Sequence, residues 1–163
     1  MKKTYYVIVN KKDIKCEKGI KMSKYVLSLM LKKLKLKEGK VIFNEYGKPY
    51  YENSDVYFNI SDSNNYIACC VSNTEVGIDI EEDRIVNDII AKEYLNNISG
   101  NYDRLKAWVI KEAYSKLIGY GLKMNFNDII INSIIDKACI IENGYICVIF
   151  NKEKSKFINM NIL

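Results

Sequence analysis

The sequence predicts an α+β fold: two pseudo-symmetric lobes in one chain, each a small antiparallel sheet packed by a helix. Three observations predict it. The order strand, helix, several strands occurs twice, and the second round begins near Val76. The strands are short and joined by polar connections such as "SDSNN" and "NTE". No Pro-, Gly- or Ser-rich linker divides the 163 residues, so the halves are expected to form one domain, with an N-terminal lobe of about 1–75 and a C-terminal lobe of about 76–163. That length is enough to bury a core.

The elements follow in order. "TYYVIVN" (4–10) reads as a strand. In 20–34, Tyr25, Val26, Leu29, Met30 and Leu34 recur at helical spacing. "KVIFNEYGKPYY" is a strand followed by a turn at Gly47 and Pro49. "VYFNI", "YIACCVS" and "VGIDI" are three further strands. Residues 86–97 read as a helix, with Gly100 in the break after it. Residues 103–121 form the strongest helix, ended by Gly119 and Gly121. "DIIINSII" (128–135), "ACIIE", "YICVIF" and "FINMNIL" (157–163) complete the chain as strands, with "ENG" as a hairpin turn.

Composition narrows the chemistry. Hydrophobic residues make up 48% of the chain, which argues against disorder. There is no histidine, so acid–base work falls to Asp, Glu, Lys, Tyr or Cys. The five cysteines form no C-x-x-C, and the expectation is free thiols, most of them buried in apolar runs, in a reducing cytoplasm. No apolar run approaches a membrane span, and the start lacks a signal peptide. The net charge of +5 suits an anionic partner, but no zinc finger, RNP motif or basic–aromatic alternation points to nucleic acid. Most lysines are expected on solvated surfaces.

The carboxylates of "VGIDIEEDR" (76–84) stand out. In a strand, Val76, Ile78 and Ile80 share one face, and Gly77, Asp79 and Glu81 share the other. Neighbouring anions on one face repel unless a cation lies between them, and a hard divalent ion such as Mg²⁺ suits carboxylates together with phosphate oxygens. The alternative is a solvent-exposed strand edge. Glu82 and Asp83 lie past the repeat and are expected to be solvated. On the wheel of the later helix, Lys111, Ser115 and Arg104 fall on the polar side. Glu112 and Lys116 fall on the arc that should face protein, where unpaired burial is costly. An i,i+4 pair between them is worth only ~0.3–0.5 kcal/mol when exposed. A cleft in which Glu112 joins Asp79 and Glu81, and Lys116 meets bound phosphate, accounts for both.

"EYGKPY" (45–50), "FNISDS" (58–63), "VGIDIE" (76–81) and "WVIKEAYSKLIGYGL" (108–122) occur in that order. This set resembles the 4′-phosphopantetheinyl transferases, specifically the two-lobed type serving nonribosomal peptide and polyketide synthases. The resemblance runs from about residue 20 to Leu122. It implies transfer of the phosphopantetheine arm of coenzyme A to a serine of an acyl or peptidyl carrier protein, releasing adenosine 3′,5′-bisphosphate. By the same resemblance, Asp79, Glu81 and Glu112 hold Mg²⁺, and Glu112 and Lys116 are catalytic, as proton acceptor and as stabiliser of the pyrophosphate. Lys48, Ser61, Asp62, Lys111 and Lys116 fall at cofactor-binding positions, and Lys21 and Lys24 are candidates for the 3′-phosphate. Arg84 matches an arginine that follows the motif and is read as structural. Two lobes in one chain imply a monomer.

The chain departs from the pattern at Asp62, where the family places a histidine that binds phosphate. An aspartate there repels phosphate unless a lysine or an ion pairs with it. Val109 replaces a small polar residue, with little effect expected. The other reading compatible with these motifs is a non-catalytic member that binds carrier proteins or a nucleotide.

Overall fold

Alternation decides how the central strands are used. In β1 (Lys2–Asn10), Val7 and Val9 pack to one side, and Tyr6 and Ile8 to the other. In β5 (Tyr66–Ser72), Ile67, Cys69 and Val71 share the first side, and Ala68 and Cys70 the second. Both faces are apolar because both are covered, which is why "YIACCVS" is a continuous apolar run. The computed structural model describes residues 1–162. It is a mixed α+β structure with three α-helices and sheets of four, two and three strands.

The four-stranded sheet has the order β4-β5-β1-β9, with β4 at Tyr57–Asp62 and β9 at Ser155–Asn159. The three-stranded sheet has the order β6-β8-β7, with β6 at Val76–Glu82, β7 at Ala138–Glu142 and β8 at Tyr145–Asn151. A separate hairpin pairs β2 (Val41–Phe43) with β3 (Pro49–Tyr51). Helix α1 (Met22–Leu34) sends Val26, Leu27, Met30 and Leu31 onto the Val7/Val9 side of the four-stranded sheet. The opposite side of that sheet meets Val76, Ile78, Ile80, Cys147 and Ile149 of the three-stranded sheet. The outer face of the latter, with Ile146, Val148 and Phe150, packs on α3 (Asn101–Ile118). The layers therefore run helix, sheet, sheet, helix.

The short α2 (Asp88–Tyr94) is capped by Asn87, whose Oδ1 accepts from Ile90 N at 2.9 Å. Helix α3 ends where Gly119 turns left-handed at φ +84°. Gly144, at φ +67°, closes the predicted β7–β8 hairpin.

Several expectations change. Residues 128–135 form no strand. They lie in short 3₁₀ turns at Phe126–Asp128, Ile131–Ser133 and Ile135–Lys137. Phe126, Ile129 and Ile134 plug the core beside α3, while Ile130 is exposed. The run is rich in β-branched residues, but its apolar side chains serve as plugs across a helix and not as one face of a sheet. The four-stranded sheet is not purely antiparallel, because β9 pairs parallel to β1, with Lys2 opposite Ser155 and Tyr6 opposite Asn159. The last strand thus joins the N-terminal sheet. It stops at Asn159, and the end of the predicted 157–163 strand, Leu163, lies outside the described residues. All five cysteines are free, with Cys69, Cys70 and Cys147 buried. Among the described residues, no helix is long and apolar enough to cross a membrane.

Candidate active site

The site forms where β6 meets α3. Gly77 permits the approach: a methyl group there would collide with Ala113 O and Leu117 N of the helix. Two residues further on the same face, Asp79 points at the helix, and Glu81 lies at the rim. Glu112 and Lys116, one turn apart on α3, face them. Asp79, Glu81 and Glu112 each present an oxygen within 4.8 Å of the others.

Three carboxylates this close hold together only with positive charge or protons among them. Lys116 supplies the charge, its Nζ lying 2.6 Å from Asp79 Oδ1 and 3.0 Å from Ser61 Oγ. Burial alone would lower the Lys116 ammonium, but Asp79, Glu112 and Glu81 outweigh it and hold the group above its ordinary value. Glu112 is pushed up to about 8, first by burial and then by the charge of Asp79. The predicted Glu112–Lys116 neighbours therefore do not form a simple helix-surface pair, because Lys116 is spent on Asp79.

The donor set has room for a cation. Asp79 is 2% exposed and its Oδ2 is buried without a hydrogen-bond partner. An orphaned carboxylate oxygen beside two more carboxylates is unfavourable unless a cation or a proton completes it. A hard divalent ion such as Mg²⁺ fits this all-oxygen set.

Strand β4 sets the geometry from the other side. Asn59, Ser61 and Ser63 recur with period two and bind β6 in sequence. Asn59 Oδ1 accepts from Ile78 N at 3.0 Å, Ser61 Oγ donates to Asp79 Oδ1 at 2.7 Å, and Ser63 Oγ accepts from Glu82 N at 3.1 Å. Ser63 Oγ also donates to Glu81 Oε2 at 3.4 Å. The same alternation turns Asp62 outward, where Lys11 Nζ meets it at 3.1 Å and donates to Ser63 O at 2.6 Å. Asn59 and Ser63 were not picked out from the sequence, although both lie in the "FNISDS" motif through which the resemblance marked Ser61. Arg84 holds Glu81 Oε1 at 3.1 Å. Glu82 is not merely solvated: it accepts from Asn65 N and Nδ2 at 2.8 and 2.9 Å, and these bonds lower its carboxyl.

Two expected cofactor-binding lysines are committed elsewhere. Lys111 is 1% exposed and donates to Tyr94 O at 3.1 Å and Phe126 O at 2.7 Å, on the side of α3 away from the carboxylates. Burial lowers its ammonium. Its neighbour on the wheel, Ser115, is buried as well and donates to Gly121 O. The polar side of the wheel is covered at these two residues by the 120–128 segment. Lys48 donates to Leu117 O at 2.8 Å and Val76 O at 3.3 Å, and burial lowers it, against the opposing charge of Glu75. It still borders a cleft with Tyr46, Gly47, Pro49, Asn59, Ile60, Lys116, Gly119 and Gly121. Lys21 and Lys24 are exposed at the start of α1.

A model of the 4′-phosphopantetheinyl transferase superfamily matches residues 75–158, which include β6 and α3 with all four charged residues of the cluster. The chain belongs to this superfamily. It is 37% identical over 95 residues to the 4′-phosphopantetheinyl transferase gsp of Aneurinibacillus migulanus, covering 52% of this chain and 40% of that protein. It is 30% identical over 113 residues to the 4′-phosphopantetheinyl transferase Sfp of Bacillus subtilis (strain 168), covering 61% of this chain and 50% of that protein. The matched stretch spans half or less of those transferases.

Proposed function

We propose that this protein transfers the 4′-phosphopantetheine arm of coenzyme A to a serine of an apo acyl or peptidyl carrier protein, releasing adenosine 3′,5′-bisphosphate. The observation that carries the proposal is the meeting of Asp79, Glu81, Glu112 and Lys116 in one partly buried place, with Asp79 Oδ2 left unpartnered. In this reading Asp79, Glu81 and Glu112 hold Mg²⁺. When bound, the ion supplies positive charge against the pyrophosphate of coenzyme A.

The remaining steps belong to the chain itself. The Glu112 carboxylate accepts the proton of the carrier serine hydroxyl. The serine oxygen bonds to the phosphorus on the pantetheine side. The bond from that phosphorus to the bridging oxygen breaks, and adenosine 3′,5′-bisphosphate leaves with the bridging oxygen. The Lys116 ammonium offsets the charge that develops on the departing phosphate. Ser61 keeps Asp79 and Lys116 in register through bonds of 2.7 and 3.0 Å. The cleft beside Lys116 and Lys48 takes the nucleotide side of the donor. Asp62 at the usual histidine position does not bring unpaired negative charge, because Lys11 neutralises it at 3.1 Å.

The architecture supports a single domain of two lobes, about 1–75 and about 76–163, with β9 crossing back to the first sheet. With both lobes in one chain the protein acts as a monomer, and free thiols suit a reducing cytoplasm. The test is incubation with coenzyme A, Mg²⁺ and an apo carrier protein, read by mass spectrometry. Addition of the phosphopantetheine mass to the carrier is expected. Glu112→Gln should lower the transfer rate roughly 10²–10⁴-fold with an unchanged circular dichroism spectrum. A folded protein that modifies none of several carriers overturns the assignment.

A further inference from the structure

The β2–β3 hairpin pairs with neither larger sheet, yet its turn forms one wall of the cleft beside Lys116. Side chains must therefore fix its position, and Asn44 does this in two directions. Its Oδ1 accepts from Tyr46 N at 3.0 Å and from Lys48 N at 2.8 Å, which shapes the turn around Gly47. Its Nδ2 donates to Gly119 O at 2.9 Å, at the left-handed residue that ends α3. Lys116 sits in the last turn of that helix. Gly119 leaves room for this contact, because a Cβ there would lie 2.9 Å from Asn44 Nδ2. Tyr46 completes the junction by stacking on Tyr120 at 4.7 Å between ring centroids.

We propose that Asn44 is a positioning residue of the donor cleft. It sets the separation between the Tyr46–Lys48 wall and the end of α3 that carries Lys116. This rests on reading the cleft as the nucleotide side of the transferase. One amide carries both acceptor and donor roles, so substitutions separate them. Asn44→Asp keeps the two acceptor bonds of the turn and loses the donor to Gly119. Asn44→Ala loses all three.

The test titrates coenzyme A by calorimetry with no carrier present, alongside steady-state kinetics with a carrier and amide exchange by NMR. Both variants should bind coenzyme A about 10-fold more weakly and raise its KM about 10-fold, with kcat at saturation within about threefold of the parent. Exchange at Tyr46 and Lys48 should quicken in Asn44→Ala and stay near the parent rate in Asn44→Asp. Should Asn44→Ala fail to fold, Asn44→Asp decides alone. A folded variant that binds within about twofold of the parent, or loses kcat with KM unchanged, overturns the role of Asn44. A parent that binds no coenzyme A overturns the functional reading itself, a different result.

Discussion

Tyr51 carries its hydroxyl into the core without a partner, its ring 4.6 Å from that of Phe58. Burial, with smaller contributions from Glu38 and Cys69, pushes the hydroxyl up to about 12. The ordinary tyrosine value is about 10, so the unfolded chain loses this proton first. The folded state then holds more protons, and stability falls as pH rises from about 10 to about 12. Tyr51→Phe should remove that fall, and should add about 1 kcal/mol at neutral pH by deleting an unsatisfied buried group. Urea unfolding at pH 7, 10 and 11.5 checks both, and a parallel alkaline decline in the variant would contradict the account. At this scale the sequence was informative where period-two or helical spacing placed a residue on a face, as for Asp79, Glu81, Glu112 and Lys116. It was misleading for Lys111, because a wheel shows which residues share a face but not whether another segment covers it. The carbonyls of Tyr94 and Phe126 that receive its ammonium come from two other elements.

Among elements, the contact of β6 with α3 decides the site. Gly77→Ala should force the helix away from the strand, because the atoms it meets are helix backbone and have no rotamer to change. A loss of about 3 kcal/mol or more in chemical denaturation is expected, since overpacking a fitted core commonly costs 1–3. Divalent-cation affinity, read by calorimetry, should fall with it as Glu112 moves from Asp79. An Ala variant of parental stability would show that the two elements separate cheaply. The glycine of "VGIDI" thus has a packing reason that no propensity reveals. Residues 128–135 illustrate the converse: isoleucine-rich sequence reads as strand, yet β7 pairs only with β8 among the described residues, and the run lies across α3 as plugs.

For the whole molecule, β9 ties the end of the chain to its beginning. It pairs with β1 through Lys2 to Tyr6, and Thr4 Oγ1 lies 2.8 Å from Ser155 Oγ. Thr4 and Asn151 are buried in one polar group with Ser72, and Asn151 Nδ2 donates to both Thr4 Oγ1 and Ser72 Oγ. A chain cut after Lys152 should lose the edge strand over β1 and uncover this group, so its thermal transition should broaden and shift down by several degrees. An unchanged calorimetric transition would show that β9 is a passive edge.

By itself the sequence determined the α+β class, the position and type of nearly every helix and strand, and the four charged residues of the cluster. Those follow from periodicity and from motif spacing, which are local properties of the chain. Only the tertiary structure decided that β9 crosses to the first sheet, that Lys11 neutralises Asp62, that Lys111 is buried away from the cleft, and that Asn44 joins the Gly47 turn to the end of α3. Each of these depends on which distant segment fills a given space. Packing settles that across the whole molecule, whereas spacing along one element carries no record of it.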